Sequence, residues 1–162
     1  MNVLLLRNRH KECPVHLPLL RKISGQLVAG IFPGLAFELA IHLVDDDEMA
    51  ALNESFLQHD GPTDVITFDH ADVGASPGVL GEIFICLPVA VRQARQFRTS
   101  WQSELVRYVV HGLLHLAGYD DLDSADRRKM KRQENRLMTQ MEKKFSIARL
   151  KRSPRRTPSR RL

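Results

Sequence analysis

The run Leu105-Val-Arg-Tyr-Val-Val-His-Gly-Leu-Leu-His-Leu-Ala117 constrains this chain more than any other segment. Its apolar residues lie on almost every side at helical spacing, so a helix here has no face suited to water and must be wrapped by other elements. The flanking segments read as that wrapping. Residues 2–6 (NVLLL) read as a short buried strand, and 14–31 as a helix stopped by Gly30 and Pro33-Gly34. In 36–44, Phe37, Leu39, Ile41 and Leu43 alternate with Glu38, Ala40 and His42, which predicts a half-buried strand. A helix over 45–57 opens on Asp45, Asp46 and Asp47, whose charges suit a helix N-terminus, with Met49, Leu52 and Phe56 on one face. Segments 64–70 and 79–87 have strand composition and lie close enough to form a hairpin. Helices follow over 88–98 with Arg92 and Arg95 outward, over 100–117, and over 124–144, the last charged and capped by Asp123 or Ser124. Strands joined by helices, plus one hairpin, predict an α+β fold. It is a single domain with a mixed four-stranded sheet packed with helices and the apolar helix buried at its centre.

Composition narrows the setting. A hydrophobic share of 43% and a charged share of 27% are ordinary for a globular domain. No apolar run is long enough to span a bilayer. The N-terminus lacks a basic stretch and a cleavage site, and Cys13 and Cys86 make no framework, so the expected location is cytoplasmic, with no membrane partner. The net charge of +5 is unevenly spread: nine of the 24 basic residues and none of the 19 acids lie in 143–162, leaving the remainder at −4. The predicted organisation is a domain over 1–144 and a basic, disordered tail over 145–162. The tail reads either as a solubilising extension or as an electrostatic arm for RNA phosphates.

The apolar helix carries a metal signal. His111 and His115, four apart, lie one above the other on a helix face. Two imidazoles there can meet one ion at the ~2.0–2.1 Å of zinc–nitrogen bonds. Gly118 lets the chain turn back through a left-handed conformation, and Asp121, ten residues after His111, supplies a third donor; Asp120 is its rival. Three protein donors leave a position open, as in catalytic rather than structural zinc sites. The metallopeptidase signature H-E-x-x-H is absent, because Gly112 stands where that motif needs its general base.

These residues belong to a longer pattern. HGLLHLAGYD (111–120), Pro62-Thr-Asp-Val-Ile-Thr-Phe68, Leu80-Gly-Glu-Ile83 and Asn53 occur in the order and spacing of the YbeY endoribonucleases, bacterial rRNA maturation factors, which the chain resembles over roughly 36–142. The resemblance implies a metal-dependent, single-strand-specific endoribonuclease acting on the 3′ end of 16S rRNA and in ribosome quality control. Its partners would be single-stranded RNA and the ribosome. The family's metal, usually taken to be zinc, is held by three histidines. His111 and His115 match two of them, and Asp121 stands where the third is expected. A carboxylate donor makes Mn2+ or Fe2+ more plausible beside Zn2+. Leu57 stands where the family commonly has an arginine; if that arginine holds a phosphate, His59, Arg92 or the tail must substitute for it, or RNA binding is weaker. Candidate proton carriers are Asp64, Glu82 and Asp120, while Tyr119 reads as packing. Asp64 has a second reading as a turn or cap residue. Two other functions remain open: a non-catalytic ribosome-assembly or RNA-binding factor with a structural metal, and a metallohydrolase of another substrate.

Overall fold

The apolar helix finds its cover against a sheet. The computed structural model describes residues 2–10, 13–57, 63–71 and 78–152. Its strands are β1 (Val3–Asn8), β2 (Phe37–Val44), β3 (Val65–Asp69) and β4 (Val79–Cys86), in the order β1-β2-β4-β3. β1 pairs parallel with β2 and β2 with β4, while β3 pairs antiparallel with β4 as the expected hairpin. The helices are α1 (Leu17–Ile31), α2 (Asp46–Leu52), α3 (Leu87–Phe97), α4 (Trp101–Leu116) and α5 (Ser124–Lys144). The α+β class, the mixed four-stranded sheet and the central helix are as the sequence predicts. No helix among the described residues is long and apolar enough to cross a membrane.

α4 is the wrapped element: Leu105, Val106, Val109, Val110 and Leu113 are fully buried. It packs on α1, α3, α5, β3 and β4. Two glycines bring it close. A Cβ on Gly112 would lie 2.8 Å from Ile83 Cγ2, and one on Gly81 would lie 2.8 Å from Leu116 Cδ2 and 2.9 Å from the Phe68 carbonyl oxygen. Ile83 therefore points at the helix. By strand alternation its neighbours Glu82 and Phe84 point to the other face of the sheet.

Five local expectations change. β1, read as a buried strand, is buried only at Leu6, and Val3 and Leu5 are exposed. β2 is half-buried only at its start: Ile41, His42, Leu43 and Val44 are all buried. A second apolar cluster (Val44, Met49, Ile66, Cys86, Val89) covers the sheet face away from α4. α1 begins three residues later than predicted. Pro14–His16 precedes it, and the His16 side chain caps it by accepting from the Leu19 N–H at 3.1 Å. α2 stops at Leu52 and the chain continues as a wide π-type turn, Asn53–Leu57. Phe56, expected beside buried Met49, is 62% exposed and meets the Phe68 ring edge-on.

The expected start of the tail is also displaced. Residues 145–150 continue the fold through a 3-10 turn, Ile147–Leu150, whose two terminal side chains enter the core. The His16 N–H donates to Leu150 O at 2.7 Å, and the Arg152 N–H to Pro14 O at 3.1 Å. Two apolar residues set among cations anchor this segment. The remaining tail, 153–162, lies outside the described residues.

Candidate metal centre

The four-residue spacing on α4 brings the imidazoles of His111 and His115 together. Their centroids are 4.7 Å apart with planes at 81°, and their Nε2 atoms are 3.1 Å apart. Gly118, at φ +96°, then ends the helix. Its N–H donates to His115 O at 3.0 Å, and the Tyr119 N–H donates to Leu114 O at 3.0 Å. That bond pair is a Schellman termination, which reverses the chain over the last turn. Asp120 tightens the reversal by accepting the Asp121 N–H at 2.7 Å. Asp121 Oδ2 comes to 3.5 Å from His111 Nε2 and 3.7 Å from His115 Nε2.

The three atoms form a triangle with edges of 3.1, 3.5 and 3.7 Å. Donors ~2.0–2.1 Å from a tetrahedral ion are separated by about 3.3–3.4 Å. The donor set has the size of one ion, and among the described residues these three form the metal-capable group.

The far sides of the rings fix which nitrogen carries a proton. His115 Nδ1 is 3.1 Å from the Tyr119 carbonyl oxygen, and His111 Nδ1 is 3.4 Å from Glu134 Oε1. A carbonyl and a carboxylate only accept, so each neutral ring holds its proton on Nδ1 and turns a bare Nε2 lone pair inward. Two lone pairs at 3.1 Å repel unless something positive lies between them. The local field favours positive charge. Burial works against protonation of His111, but the hydrogen bond and charge of Glu134, with Asp64 and Asp121 nearby, outweigh it and raise its pKa.

Glu134 is the residue that sequence reasoning missed. It sits on α5 among buried Met130, Leu137, Met138 and Met141, and is itself buried. A carboxylate standing in the apolar stripe of an otherwise solvated helix was the available signal.

The three candidate proton carriers separate. Glu82 lies on the sheet face away from α4, with Oε1 3.2 Å from His42 Nε2 and Oε2 3.1 Å from His70 Nε2. Asp120 is exposed and serves the turn. Asp64 lies within electrostatic reach of His111. It is exposed, with Oδ1 accepting the Val65 N–H at 2.8 Å, so its local capping role is real as well. Tyr119 packs its ring against the core, as expected, while its carbonyl orients His115. Arg92 is committed elsewhere, in a two-point ion pair with Asp46 at 2.7 and 2.9 Å that holds the Asp46 carboxyl below its ordinary range. His59 lies outside the described residues.

A mixed sheet presenting an ion-sized His–His–Asp triangle at the end of its central helix defines the molecule as an α+β domain with a metal-capable site. Comparison with known proteins makes this particular. The sequence profile described as Endoribonuclease YbeY matches residues 8–142. The endoribonuclease YbeY of Syntrophotalea carbinolica is 34% identical over 150 residues, covering 90% of this chain and 99% of the relative. That of Chlorobium luteolum is 41% identical over 106 residues, covering 65% and 75%. The solution structure of a Thermotoga maritima protein superposes with a TM-score of 0.63 at 25% identity, covering 96% of this chain and all of the other. The chain belongs to the YbeY endoribonuclease family.

Proposed function

We propose that this protein is a cytoplasmic, metal-dependent, single-strand-specific endoribonuclease of 16S rRNA 3′-end maturation and ribosome quality control. His111, His115 and Asp121 are its metal ligands. One observation carries the reading: the Nε2 atoms of two imidazoles lie 3.1 Å apart beside a carboxylate oxygen, while each Nδ1 faces an acceptor. The donor set suits Zn2+, and its carboxylate admits the harder Mn2+ or Fe2+. When bound, such an ion supplies Lewis acidity toward a phosphoryl oxygen and an acidified water.

The chain's own residues supply the rest. Glu134 and the Tyr119 carbonyl keep both rings in one tautomer and orientation. Asp120 holds the turn that presents Asp121. Asp64 is the proton carrier we favour, since it is exposed and close enough to His111 to influence its charge. The family relationship supports RNA as substrate.

The test measures metal content and cleavage of a labelled single-stranded 16S 3′ fragment together. Wild type is expected to hold about one ion per chain and to cut the single strand but not its duplex. Asp121→Ala should lose metal and cleavage in parallel. Binding without cleavage, with both zinc and manganese supplied, would reject the nuclease reading in favour of a non-catalytic assembly factor. Peptide turnover abolished by His111→Ala, with RNA left intact, would favour a different hydrolase.

A further inference from the structure

We infer that the groove between the start of α1 and the 3-10 turn Ile147–Leu150 is a second RNA-contact surface, binding the phosphates of a single strand whose scissile bond lies at the metal centre. The inference rests on the nuclease reading above only for the identity of the partner.

The groove has a volume of about 850 Å³ and is lined by His16, Lys22, Arg149, Lys151 and Arg152, with no acid in its walls. The four cations are exposed and make no ion pair within the described residues. The contrast with the neighbouring cavity is instructive. That one holds about 900 Å³ and also touches Lys151, but its Arg9 and Arg92 face Asp45, Asp46 and Asp47. Arg92 is paired to Asp46, and Arg9 to Glu48. Charge there is internally satisfied; in the groove it is not. Cations held together without counter-charge repel one another, and a polyanion relieves that repulsion while releasing its own counterions.

The backbone makes the groove a built feature rather than the chance meeting of loose side chains. Buried Ile147 and Leu150 fix the turn, and the pairings of His16 with Leu150 and Arg152 with Pro14 fix its rim against α1. Arg149, Lys151 and Arg152 lie beyond the segment that matches the family, 8–142. The sequence after Arg152 adds four more arginines and no acid.

Position on α4 sets the length of RNA required. The Gln102 side chain, in the first turn of α4, reaches Ala148 O at 3.5 Å. His111 is nine and His115 thirteen residues further along, which at 1.5 Å per residue is about 14–20 Å. At the ~3.4 Å per nucleotide of a stacked strand, about four or more nucleotides separate the two sites. A long RNA can engage both; a trinucleotide cannot.

The experiment compares the full-length wild type with the triple variant Lys22→Gln, Arg149→Gln, Arg152→Gln. The binding probe is a fluorescein-labelled single strand of about 20 nucleotides, in EDTA so that binding is read without cleavage. The variant should bind about tenfold more weakly, and its log Kd against log salt should flatten by about 2, near 0.7 per lost phosphate contact. Its melting temperature and its metal-dependent cleavage of a trinucleotide should match wild type. Unchanged affinity and slope would overturn the inference. So would vesicles of phosphatidylserine or a polyglutamate competing as well as RNA at equal charge, since either makes the groove a general anion or membrane surface. If wild type binds the long strand in this way yet cuts neither RNA, the groove stands and the nuclease reading falls.

Discussion

Two histidine–carboxylate clusters flank β4, one on each side of the sheet, and they are made of almost the same parts. One has His111, His115 and Asp121; the other has His42, His70 and Glu82. In the second, the carboxylate lies between the rings, with Oε1 toward His42 Nε2 and Oε2 toward His70 Nε2. Each ring spends its Nε2 on that carboxylate, and no lone pair is left to converge. Burial works against ionisation of Glu82, yet the two imidazole hydrogen bonds outweigh it and lower its pKa. In the first cluster the donating nitrogens point outward, to Glu134 and the Tyr119 carbonyl, so the other two are bare and face each other. Only this cluster, among the described residues, is metal-capable. Residue type does not separate the two; what the far nitrogen is tied to does.

The tight seating of α4 on β4 keeps the clusters apart, and breaking it should have the largest effect. Gly112→Glu writes the metallopeptidase signature into the helix, but the new side chain would drive into Ile83, which is fully buried. Overpacking and an unpaired buried charge together are expected to cost more than about 4 kcal/mol, so little folded protein should be recovered. Gly112→Ala isolates the packing term and should cost about 1–3 kcal/mol in denaturant unfolding. An alanine variant as stable as wild type would mean that the helix is not held against Ile83 as closely as described.

Next in size is the tie on the far nitrogen. Glu134→Ala removes the partner that orients His111 and should weaken Zn2+ binding by about 10–100-fold, read by competition with a chromogenic chelator. Glu134→Gln keeps an oxygen acceptor and should recover most of the loss. Equal affinity in wild type and the alanine variant would erase the distinction drawn between the two clusters.

The parts of this design that depend on near neighbours were legible in the sequence. The His–His spacing, the Gly118 reversal and the preference for Asp121 over Asp120 all follow from the geometry of one helix and its termination. The rest needed long-range information. Glu134 acts from a different helix, and only α4–α5 packing brings it to His111. Glu82 looked like a candidate because its strand matched the family. Which face it occupies depends on strand parity, set by Gly112 meeting Ile83. Gly112 itself read only as the absence of a base, whereas its job is close approach. Residues 145–150 read as tail because the seven cations of 145–162 outweighed two apolar residues, Ile147 and Leu150, that anchor the segment. The π-type turn that re-aims Phe56 left no mark in the helical spacing.

Acid should part the two clusters by sign, with the smallest effects of all. Metal binding needs a neutral His111 Nε2, and the His111 pKa is raised above its ordinary value. Metal affinity should therefore begin to weaken once pH drops below that raised pKa, with release following at lower pH. In the metal-free protein the same shift runs the other way. A raised folded-state pKa contributes stability that is complete below the unfolded value and lost as pH rises through the folded one, so the apoprotein should melt slightly higher at acid than at alkaline pH. Glu82, with its lowered pKa, adds stability above its unfolded value and loses it only as pH falls through the lower folded value, well below the range where metal is released. His70→Ala tests the separation. The ring is 47% exposed, so the change should cost no more than about 0.5 kcal/mol and leave the metal-release curve where it was. A release midpoint that moves with His70→Ala would mean that the sheet does not insulate one cluster from the other.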